Sequence, residues 1–310
     1  MSELKLFSTA SPVKQLQPTP VALERNLQQL VERNMDTFFG VHFLRSEWEI
    51  TGGRMDSIGI DENNCPVIFE YKRGLNENVI NQGLFYLDWL MDHQADFEKI
   101  IESSLGKEAA DKVDWSNPCV MCIANDFTRY DVHAVNQMGR LIKLIRYYRY
   151  GTDLILFEYL NAPNGSTIPH PKVFSMNQQS SASGAPAKVL SQKTHAEKVA
   201  AAPPQLRELY DAVCRAVEDL GDDVSASDLK FYRAYRRLTN LACLELHQSW
   251  VYVFLKLDPD DVVVDGSLVQ DVRNVGHLGT GDLRIKISSL DDLEKVQPLL
   301  EKAYSLAYIK

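Results

Sequence analysis

The sequence has no long apolar run. Its most apolar stretches, near Val120 and Leu154, are short and bounded by polar residues, whereas a membrane-spanning helix needs roughly 20 consecutive apolar residues. The N-terminal sequence MSELKLFSTASPVKQ has no apolar core of the kind that a secretory signal carries. We therefore expect no membrane partner and no secretion.

Cysteine is also scarce. The five cysteines are odd in number and scattered along the chain, so a disulfide framework is not expected and a reducing cytoplasm fits best. Cys119 and Cys122 have the spacing of half a zinc site, but no second pair and no histidine partner stands at a matching spacing. Their strand-like surroundings favour core cysteines.

An excess of positive charge is absent, since the formal net charge is -9 at pH 7. This argues against a non-specific nucleic-acid packaging protein and against a polybasic membrane anchor. It leaves room for an enzyme that holds nucleic acid in a local basic groove. The composition, 45% hydrophobic and 24% charged, is ordinary for a soluble globular protein.

Composition also divides the chain. From 161 to 204 the sequence is rich in Pro, Ser, Ala and Gln and has almost no aromatic residues, which is typical of a flexible linker. We therefore expect a first domain over 20–160 and a smaller second domain over 205–310, because two domains are usual at this length. The first twenty or so residues are expected to form a loose arm.

Hydrophobic periodicity predicts an α/β first domain, with a mixed β-sheet flanked by helices. Its predicted elements are a helix over 20–38, strands EWEI, GRMDSIGI and PVIFEYK, a helix over 77–93, strand PCVMCIA, a helix over 132–138, and strands LIKLIRYYRY and DLILFEYL. The second domain is predicted to be a smaller α+β domain. Its predicted elements are helices over 205–219 and 290–307 and strands LACLEL, WVYVFLKL and GDLRIKIS.

Three charged residues stand out in the first domain. Side chains alternate faces along a strand, so Glu70 and Lys72 share one face at the end of an otherwise apolar strand. Charged residues are rare in such strands unless they are paired or bind a ligand. A hairpin that turns at 61–64 would place Asp56 beside Glu70. The alternative is a plain ion pair between Glu70 and Lys72 on an edge strand.

Paired carboxylates would form a hard-oxygen site that suits Mg²⁺ or Mn²⁺. The backbone carbonyl of Tyr71 is a candidate further ligand. Such a cation polarises a phosphoryl oxygen and lowers the pKa of a bound water. Lys72 would orient or deprotonate that water and offset charge on the phosphate.

A fourth charged residue comes from the first helix. At about 100° per residue, Glu24 projects inside the apolar stripe of this helix, whereas Glu32 projects away from it. An acid on a buried face needs a partner, and a metal site at Asp56 and Glu70 could provide it. Pairing between Glu24 and Arg54 is the alternative.

These residues and their order along helix and strands resemble the restriction-endonuclease-like PD-(D/E)XK nuclease superfamily. Within it, the sequence looks most like the branch of archaeal and actinobacterial mismatch- and flap-type endonucleases. The resemblance covers about 20–160. It implies that Asp56 and Glu70 hold the metal, and that Lys72 and Glu24 complete the catalytic set.

That branch also has a glutamine and a tyrosine on the helix after the lysine strand. Here the pattern reads Gln82-Gly-Leu-Phe-Tyr86, which implies a catalytic role for Gln82. Two features depart from the family: Met55 stands where a proline precedes the aspartate, and Gln82 lies off the apolar stripe of its helix. The second domain resembles a small uncharacterised α+β module that is often fused to such nucleases, which implies no activity.

Basic residues near the acids and within two aromatic-rich runs are candidates for nucleic-acid contacts. They are Arg54, Arg73, Lys143 and Arg146 in the first domain and Arg233 and Arg237 in the second. A solvated strand face with packing tyrosines is the alternative.

Together these features predict a metal-dependent nuclease that hydrolyses phosphodiester bonds, with DNA favoured over RNA as the substrate. The alternative is a non-catalytic nucleic-acid-binding or assembly module that keeps the nuclease fold. A homodimer would pair two sites for cutting both strands, but no residue in the sequence decides this.

Overall fold

The computed structural model describes residues 5–19, 24–72, 78–138, 140–161, 193–237 and 239–307. The chain divides into two compact units, Met1–Pro163 and Asn164–Lys310, which we call unit 1 and unit 2. No helix in the described ranges is both long enough and apolar enough to cross a membrane.

Unit 1 contains a short N-terminal hairpin, a larger sheet and several helices. In chain order its described elements are β1 (Leu6–Ser8), β2 (Lys14–Leu16), α1 (Glu24–Arg33), α2 (Met35–Phe39), β3 (Val41–Ile50), β4 (Gly53–Asp61), β5 (Pro66–Lys72), α3 (Val79–Asp92), α4 (Gln94–Leu105), α5 (Lys107–Ala110), β6 (Cys119–Ala124), α6 (Arg129–Gln137), β7 (Leu141–Tyr150) and β8 (Leu154–Tyr159).

The larger sheet has six strands in the order β3-β4-β5-β6-β7-β8. Strands β5, β6 and β7 are parallel, and the remaining neighbours are antiparallel. Parallel neighbours need a crossover connection, which α3 to α5 provide between β5 and β6, and α6 between β6 and β7. The predicted α/β architecture, a mixed sheet flanked by helices, is confirmed.

Two apolar cores lie on the two faces of this sheet. On one face, Leu27 and Phe39 of α1 and α2 pack with Phe69 of β5. On the other face, Leu87 and Phe97 of α3 and α4 contribute to the second core. Strand β5 is covered on both faces, which explains its nearly continuous apolar sequence. A charged residue within such a strand needs a partner or a ligand.

The structure differs from the sequence prediction at the N-terminus. In the described residues, the helix predicted over 20–38 is two helices, α1 and α2, which Asn34 separates. Gly40, whose φ of 62° is left-handed, ends α2. The predicted loose arm contains the hairpin of β1 and β2. Helices α4 and α5 were not predicted, although Phe97 and Ile101 of α4 have helical spacing and are buried.

Unit 2 is an antiparallel sheet with helices on one face. Its described elements are α7 (His195–Ala200), α8 (Pro204–Glu218), β9 (Ser225–Asp228), β10 (Arg233–Arg236), β11 (Asn240–Leu246), β12 (Val251–Leu255), β13 (Val269–Asp271), β14 (Leu283–Ile287) and α9 (Leu290–Leu306). The strand order is β13-β14-β12-β11-β10-β9. Helices α8 and α9 contribute Val213 and Leu300 to the core on this sheet, and the predicted α+β class is confirmed.

Ordered structure in unit 2 begins before the predicted boundary at residue 205. Helix α7 lies inside the predicted linker, and its buried His195 is 2.8 Å from the Tyr210 hydroxyl. At the other end of that linker, Asn161 belongs to unit 1, because its side chain bonds the main chain of Leu144 and Ile142. The predicted linker residues 162–192 lie outside the described residues.

Candidate active site

The hairpin of β4 and β5 sets the geometry of the site. It turns after Asp61, as predicted, and the Asp61 carboxylate accepts main-chain hydrogen bonds across the turn at 2.9 Å. The register pairs Ser57 with Phe69. Asp56 therefore stands beside Glu70, since the register of neighbouring positions follows from this pair.

The two carboxylates are held by main-chain groups of each other's strand. The Asp56 N–H donates to Glu70 Oε1 at 3.4 Å, and the Tyr71 N–H donates to Asp56 Oδ2 at 3.0 Å. The N–H and C=O of one strand residue face the same neighbour, so the Tyr71 carbonyl also faces the Asp56 side of β5. The three predicted metal ligands are thus adjacent.

Lys72 lies among the acids. Its Nζ is 3.7 Å from Glu24 Oε1, 4.0 Å from Asp56 Oδ2 and 4.0 Å from Glu70 Oε2. The side chains of Lys72 and Asp56 are each 15% exposed, whereas Glu24, at the start of α1, is 42% exposed. The structure therefore brings together Asp56, Glu70, Lys72 and Glu24, which we call the acid–lysine cluster.

Burial governs the charge of Glu70. Its side chain is 0% exposed, and Oε2 makes no hydrogen bond to any described residue. Burial, and next the neighbouring Asp56 carboxylate, raise the pKa of Glu70 to about 9, and the charge of Lys72 opposes this shift. Glu70 is therefore protonated at neutral pH when no cation is bound.

Asp56 is shifted in the same direction. Burial is the largest cause that raises its pKa, and the hydrogen bond from Tyr71 N–H and the charge of Lys72 oppose it. Glu24 and Glu47 add negative charge that raises it further. A single ammonium does not offset this concentration of carboxylates, so the cluster gains from any additional positive charge.

A hard divalent cation fits the donor groups of the cluster. Carboxylates and a backbone carbonyl are the ligands that Mg²⁺ and Mn²⁺ prefer, and the buried Glu70 Oε2 lacks a hydrogen-bond partner among the described residues. Within the described ranges, no three His, Cys, Asp or Glu side chains are placed so that together they could hold a metal ion. A cation would therefore rely on Asp56, Glu70 and the Tyr71 carbonyl, in competition with the proton of Glu70.

Gln28 of α1 supports the site and was not identified from the sequence. Its side chain is 8% exposed, and Nε2 donates to the main-chain oxygen of Asp56 at 2.9 Å. The same nitrogen lies 3.0 Å from Glu32 Oε1 and 3.1 Å from Glu47 Oε1. A sequence signal existed, because Gln28 lies four residues after Glu24, on the same face of the helix.

Glu32, predicted to project away from the apolar stripe, accepts a hydrogen bond from Ser57 Oγ of β4 at 2.7 Å. Glu47 lies at an irregular part of β3 and has a left-handed φ of 52°. Its Oε2 is 2.7 Å from Arg54 Nε. Arg54 thus pairs with Glu47, while Glu24 pairs with Lys72, so the alternative pairing of Glu24 with Arg54 is not the one found.

Gln82 lies beside the start of β4. Its Nε2 donates to the Tyr86 hydroxyl at 2.8 Å, and this hydroxyl accepts from the Arg54 N–H at 3.2 Å. Gly83 lies between Gln82 and Tyr86 in the sequence. A Cβ at this position would come within 2.7 Å of Val120, so glycine permits the close packing of α3 on β6. The glutamine–tyrosine pattern thus docks α3 on β4, and the catalytic role of Gln82 stays a prediction.

The predicted nucleic-acid contacts in unit 1 have different surroundings. Arg146 is 11% exposed and pairs with Asp126 at 3.0 Å and Glu158 at 2.7 Å. Lys143 lies half-buried on β7, and Arg73 lies outside the described residues. The charge of Arg146 is therefore balanced within unit 1.

The two predicted contacts in unit 2 are also paired. Arg233 lies 3.5 Å from Glu218 and 3.4 Å from Asp228. Arg237 lies 2.6 Å from Asp223. Neither guanidinium is an uncompensated charge, and contact of these arginines with nucleic acid stays a prediction.

A different basic feature lies between α1 and Arg149 near the end of β7. A depression of about 430 Å³ has only neutral and basic side chains in its lining: Asn26, Gln29, Leu30, Arg33, Asn34 and Arg149. We call it the arginine groove. Guanidinium and amide groups in a lining that contains no carboxylate suit a phosphate backbone.

Three comparisons with known proteins bear on the chain. Residues 195–307 match a family described as a domain of unknown function (DUF5655). A protein of Haemophilus influenzae described as an uncharacterized protein is 29% identical over 311 residues, which cover 97% of this chain and 99% of that protein. A solved structure of an EndoMS-dsDNA2 complex is 20% identical, with a TM-score of 0.25. The match covers 41% of this chain and 47% of that one, so it spans less than half of the EndoMS chain.

Proposed function

We propose that unit 1 is a metal-dependent nuclease that hydrolyses phosphodiester bonds in DNA and acts as an endonuclease. The observation that carries the proposal is the acid–lysine cluster, in which one ammonium lies within 4.0 Å of three carboxylates. Burying ionisable side chains such as Asp56, Glu70 and Lys72 costs stability that an apolar residue would not cost. A catalytic use of the cluster accounts for that cost.

Asp56, Glu70 and the Tyr71 carbonyl would hold Mg²⁺ or Mn²⁺. When bound, such a cation supplies Lewis acidity toward a phosphoryl oxygen and lowers the pKa of a coordinated water. Glu70 must lose its proton to act as a ligand. Metal affinity should therefore rise with pH through the neutral range, because the pKa of Glu70 is about 9 without metal.

Lys72 would act on the phosphate. Its ammonium is a hydrogen-bond donor for a non-bridging phosphate oxygen or for the attacking water, and its charge offsets the negative charge that develops in the transition state. Glu24, the most exposed acid of the cluster, would hold the ammonium in place before the substrate binds.

The arginine groove would hold the DNA backbone. Helix α1 carries Glu24 at its start and lines this groove with Arg33 at its end. A phosphate backbone in the groove would therefore pass close to the helix that supports the site. Sequence-independent contacts of this kind supply affinity that depends on salt.

The proposal is tested with full-length protein on supercoiled plasmid, on labelled single-stranded, duplex, flap and mismatched DNA, and on RNA. Each substrate is incubated with Mg²⁺, Mn²⁺ or EDTA. Cleavage that requires metal is expected, and Asp56→Asn should abolish it. Glu108→Gln, which changes a carboxylate that is 87% exposed on α5, is the matched control and should cleave normally. Cleavage in EDTA, or normal cleavage by Asp56→Asn, would contradict the proposal.

The second candidate function is a non-catalytic nucleic-acid-binding or assembly module. The observation that favours it is the position of Lys72, whose ammonium lies where it partly neutralises the acids without any metal. In that case DNA binding would be insensitive to EDTA and to Asp56→Asn, and no substrate would be cut.

A further inference from the structure

The two faces of the unit 2 sheet differ in composition. Helices α8 and α9 pack on one face, over apolar residues of β11, β12 and β14. Because side chains alternate along a strand, the residues between these core positions lie on the opposite face. In the paired registers of the three strands they are Cys243, Glu245, Tyr252, Phe254, Arg284 and Lys286.

Rings and cations meet on this opposite face. Lys286 Nζ lies 4.3 Å from the centre of the Trp250 ring, and the Arg284 guanidinium carbon lies 4.8 Å from the centre of the Tyr252 ring. The two rings are edge to face with centres 5.9 Å apart. All four side chains are half-buried, and we call them the aromatic face.

The Gly-rich segment before β14 closes one end of this surface. His277 stacks on Phe254 with ring centres 4.7 Å apart, and Gly279 lies so close to Cys243 that a Cβ would come within 2.7 Å of it. Phe254 and Cys243 are consequently buried. The aromatic face is less covered, because its four side chains are half-buried, and the His247 ring stacks on Trp250 with ring centres 5.5 Å apart.

The charge of this surface is positive. Within the described strands β11, β12 and β14, its one carboxylate is Glu245, which is 7% exposed and lies 3.4 Å from His247 Nε2. Arg284 and Lys286 are therefore the charges that this face presents, in a chain whose net charge is -9. An anionic partner with flat rings fits both features.

We propose that the aromatic face binds single-stranded nucleic acid, with bases stacked on Trp250 and Tyr252 and phosphates paired with Arg284 and Lys286. A single strand offers the faces of its bases, whereas the bases of a duplex remain stacked on one another. This inference goes beyond the proposed hydrolysis and does not require it. It gives unit 2 a binding function of its own.

The test measures binding of a labelled oligo(dT) and of a duplex by fluorescence anisotropy, with full-length protein in EDTA. Because the arginine groove is proposed to hold duplex DNA, variants of the aromatic face should weaken binding of the single strand more than binding of the duplex. Tyr252→Ala should weaken binding of the single strand at least about fivefold, and Tyr252→Phe, which keeps the ring, should change it less than about twofold. Lys286→Glu should weaken binding and reduce its dependence on salt.

Lys295→Glu on α9 is the matched charge control, because it lies on the helix that packs against the opposite face, and it should bind normally. Unchanged affinity for the single strand in both Tyr252→Ala and Lys286→Glu would overturn the inference. If circular dichroism shows that Tyr252→Ala is not folded, the affinity of Lys286→Glu for oligo(dT) tests the inference alone. Asp56→Asn should bind oligo(dT) normally, which separates this inference from the proposed nuclease activity.

Discussion

The ammonium of Lys72 lies 4.0 Å from Glu70 Oε2, a fully buried oxygen with no hydrogen-bond partner among the described residues. The same ammonium also faces Asp56 and Glu24. One positive charge among three acids leaves the cluster short of positive charge. Without metal, a proton on Glu70 removes one of the three negative charges. A bound divalent cation would take the place of that proton and offset two negative charges.

Without metal, the contribution of Glu70 to stability should depend on pH. Its pKa rises from 4.5 to about 9 on folding, so between these values the folded protein holds a proton that the unfolded chain has lost. This contribution is fully present below pH 4.5 and is lost as the pH rises toward 9. In urea unfolding with EDTA, the free energy of unfolding of the wild type should fall relative to that of Glu70→Gln as the pH rises. Parallel pH profiles of stability for the two proteins would contradict a raised pKa of Glu70.

Adding Mn²⁺ should stabilise the folded protein and release a proton. At 100 times the dissociation constant, binding raises the free energy of unfolding by about 2.7 kcal/mol. Calorimetric titration near neutral pH, in buffers of different ionisation enthalpy, should detect the proton that leaves Glu70. Glu70→Gln should bind Mn²⁺ more weakly and release almost no protons, while Glu108→Gln should match wild type in both respects. Metal binding by wild type without proton release would be inconsistent with this exchange.

Lys72 and Glu24 should differ in their effect on the rate. Lys72→Met removes a donor to the transition state and should lower kcat about 100- to 1,000-fold with a smaller change in KM. Glu24→Gln should cost about tenfold or less, because Glu24 is 42% exposed and its ammonium partner Lys72 makes the proposed contact with the phosphate. Steady-state kinetics on a single DNA substrate measure both. A larger loss for Glu24→Gln than for Lys72→Met would reverse these roles.

Gln28 should act as a positioning residue for Asp56. Gln28→Ala leaves the Asp56 carbonyl without its side-chain donor and should destabilise the protein by about 1–3 kcal/mol. Because the donor fixes the backbone at a proposed metal ligand, the Mn²⁺ dissociation constant of the folded variant should also rise. A purely structural role would lower stability and leave that constant unchanged.

The arginine groove should contribute salt-dependent affinity for duplex DNA. Replacing Arg33 or Arg149 by alanine should lower the slope of log K against log salt by about one for each phosphate that the variant no longer neutralises. Arg140→Ala is a suitable control, because Arg140 pairs with Asp88 at 3.1 Å. Binding titrations at several salt concentrations in EDTA compare the three variants. Equal slopes for all three would place the DNA elsewhere.

Sequence patterns predicted the centre of the site because local rules determine it. Strand alternation puts Glu70 and Lys72 on one face, and the turn after Asp61 fixes the register that brings Asp56 beside them. Glu24 followed from helical periodicity, although α1 is shorter than predicted. These residues needed no knowledge of contacts between distant parts of the chain.

Other features depend on distant partners, which a sequence does not show. Arg146 was a candidate for contact with nucleic acid, but Glu158, which lies opposite it on the neighbouring strand β8, forms an ion pair with it. Arg233 was a candidate for contact with nucleic acid, yet it faces the side of the sheet that α8 covers. There Glu218 of α8 accepts hydrogen bonds from Arg233 and from the Tyr235 hydroxyl. The aromatic face was missed for the converse reason, since its rings and its cations come from two strands that are far apart in sequence.

The most direct test of the central claim is the initial rate of plasmid nicking by Glu70→Gln at saturating Mn²⁺. Glutamine keeps the size of the side chain and removes the carboxylate that must bind the cation. We expect the rate to fall at least about 100-fold, while the variant remains folded and, in EDTA at neutral pH, at least as stable as wild type. A folded Glu70→Gln protein that nicks plasmid at the wild-type rate would contradict a catalytic role for the acid–lysine cluster.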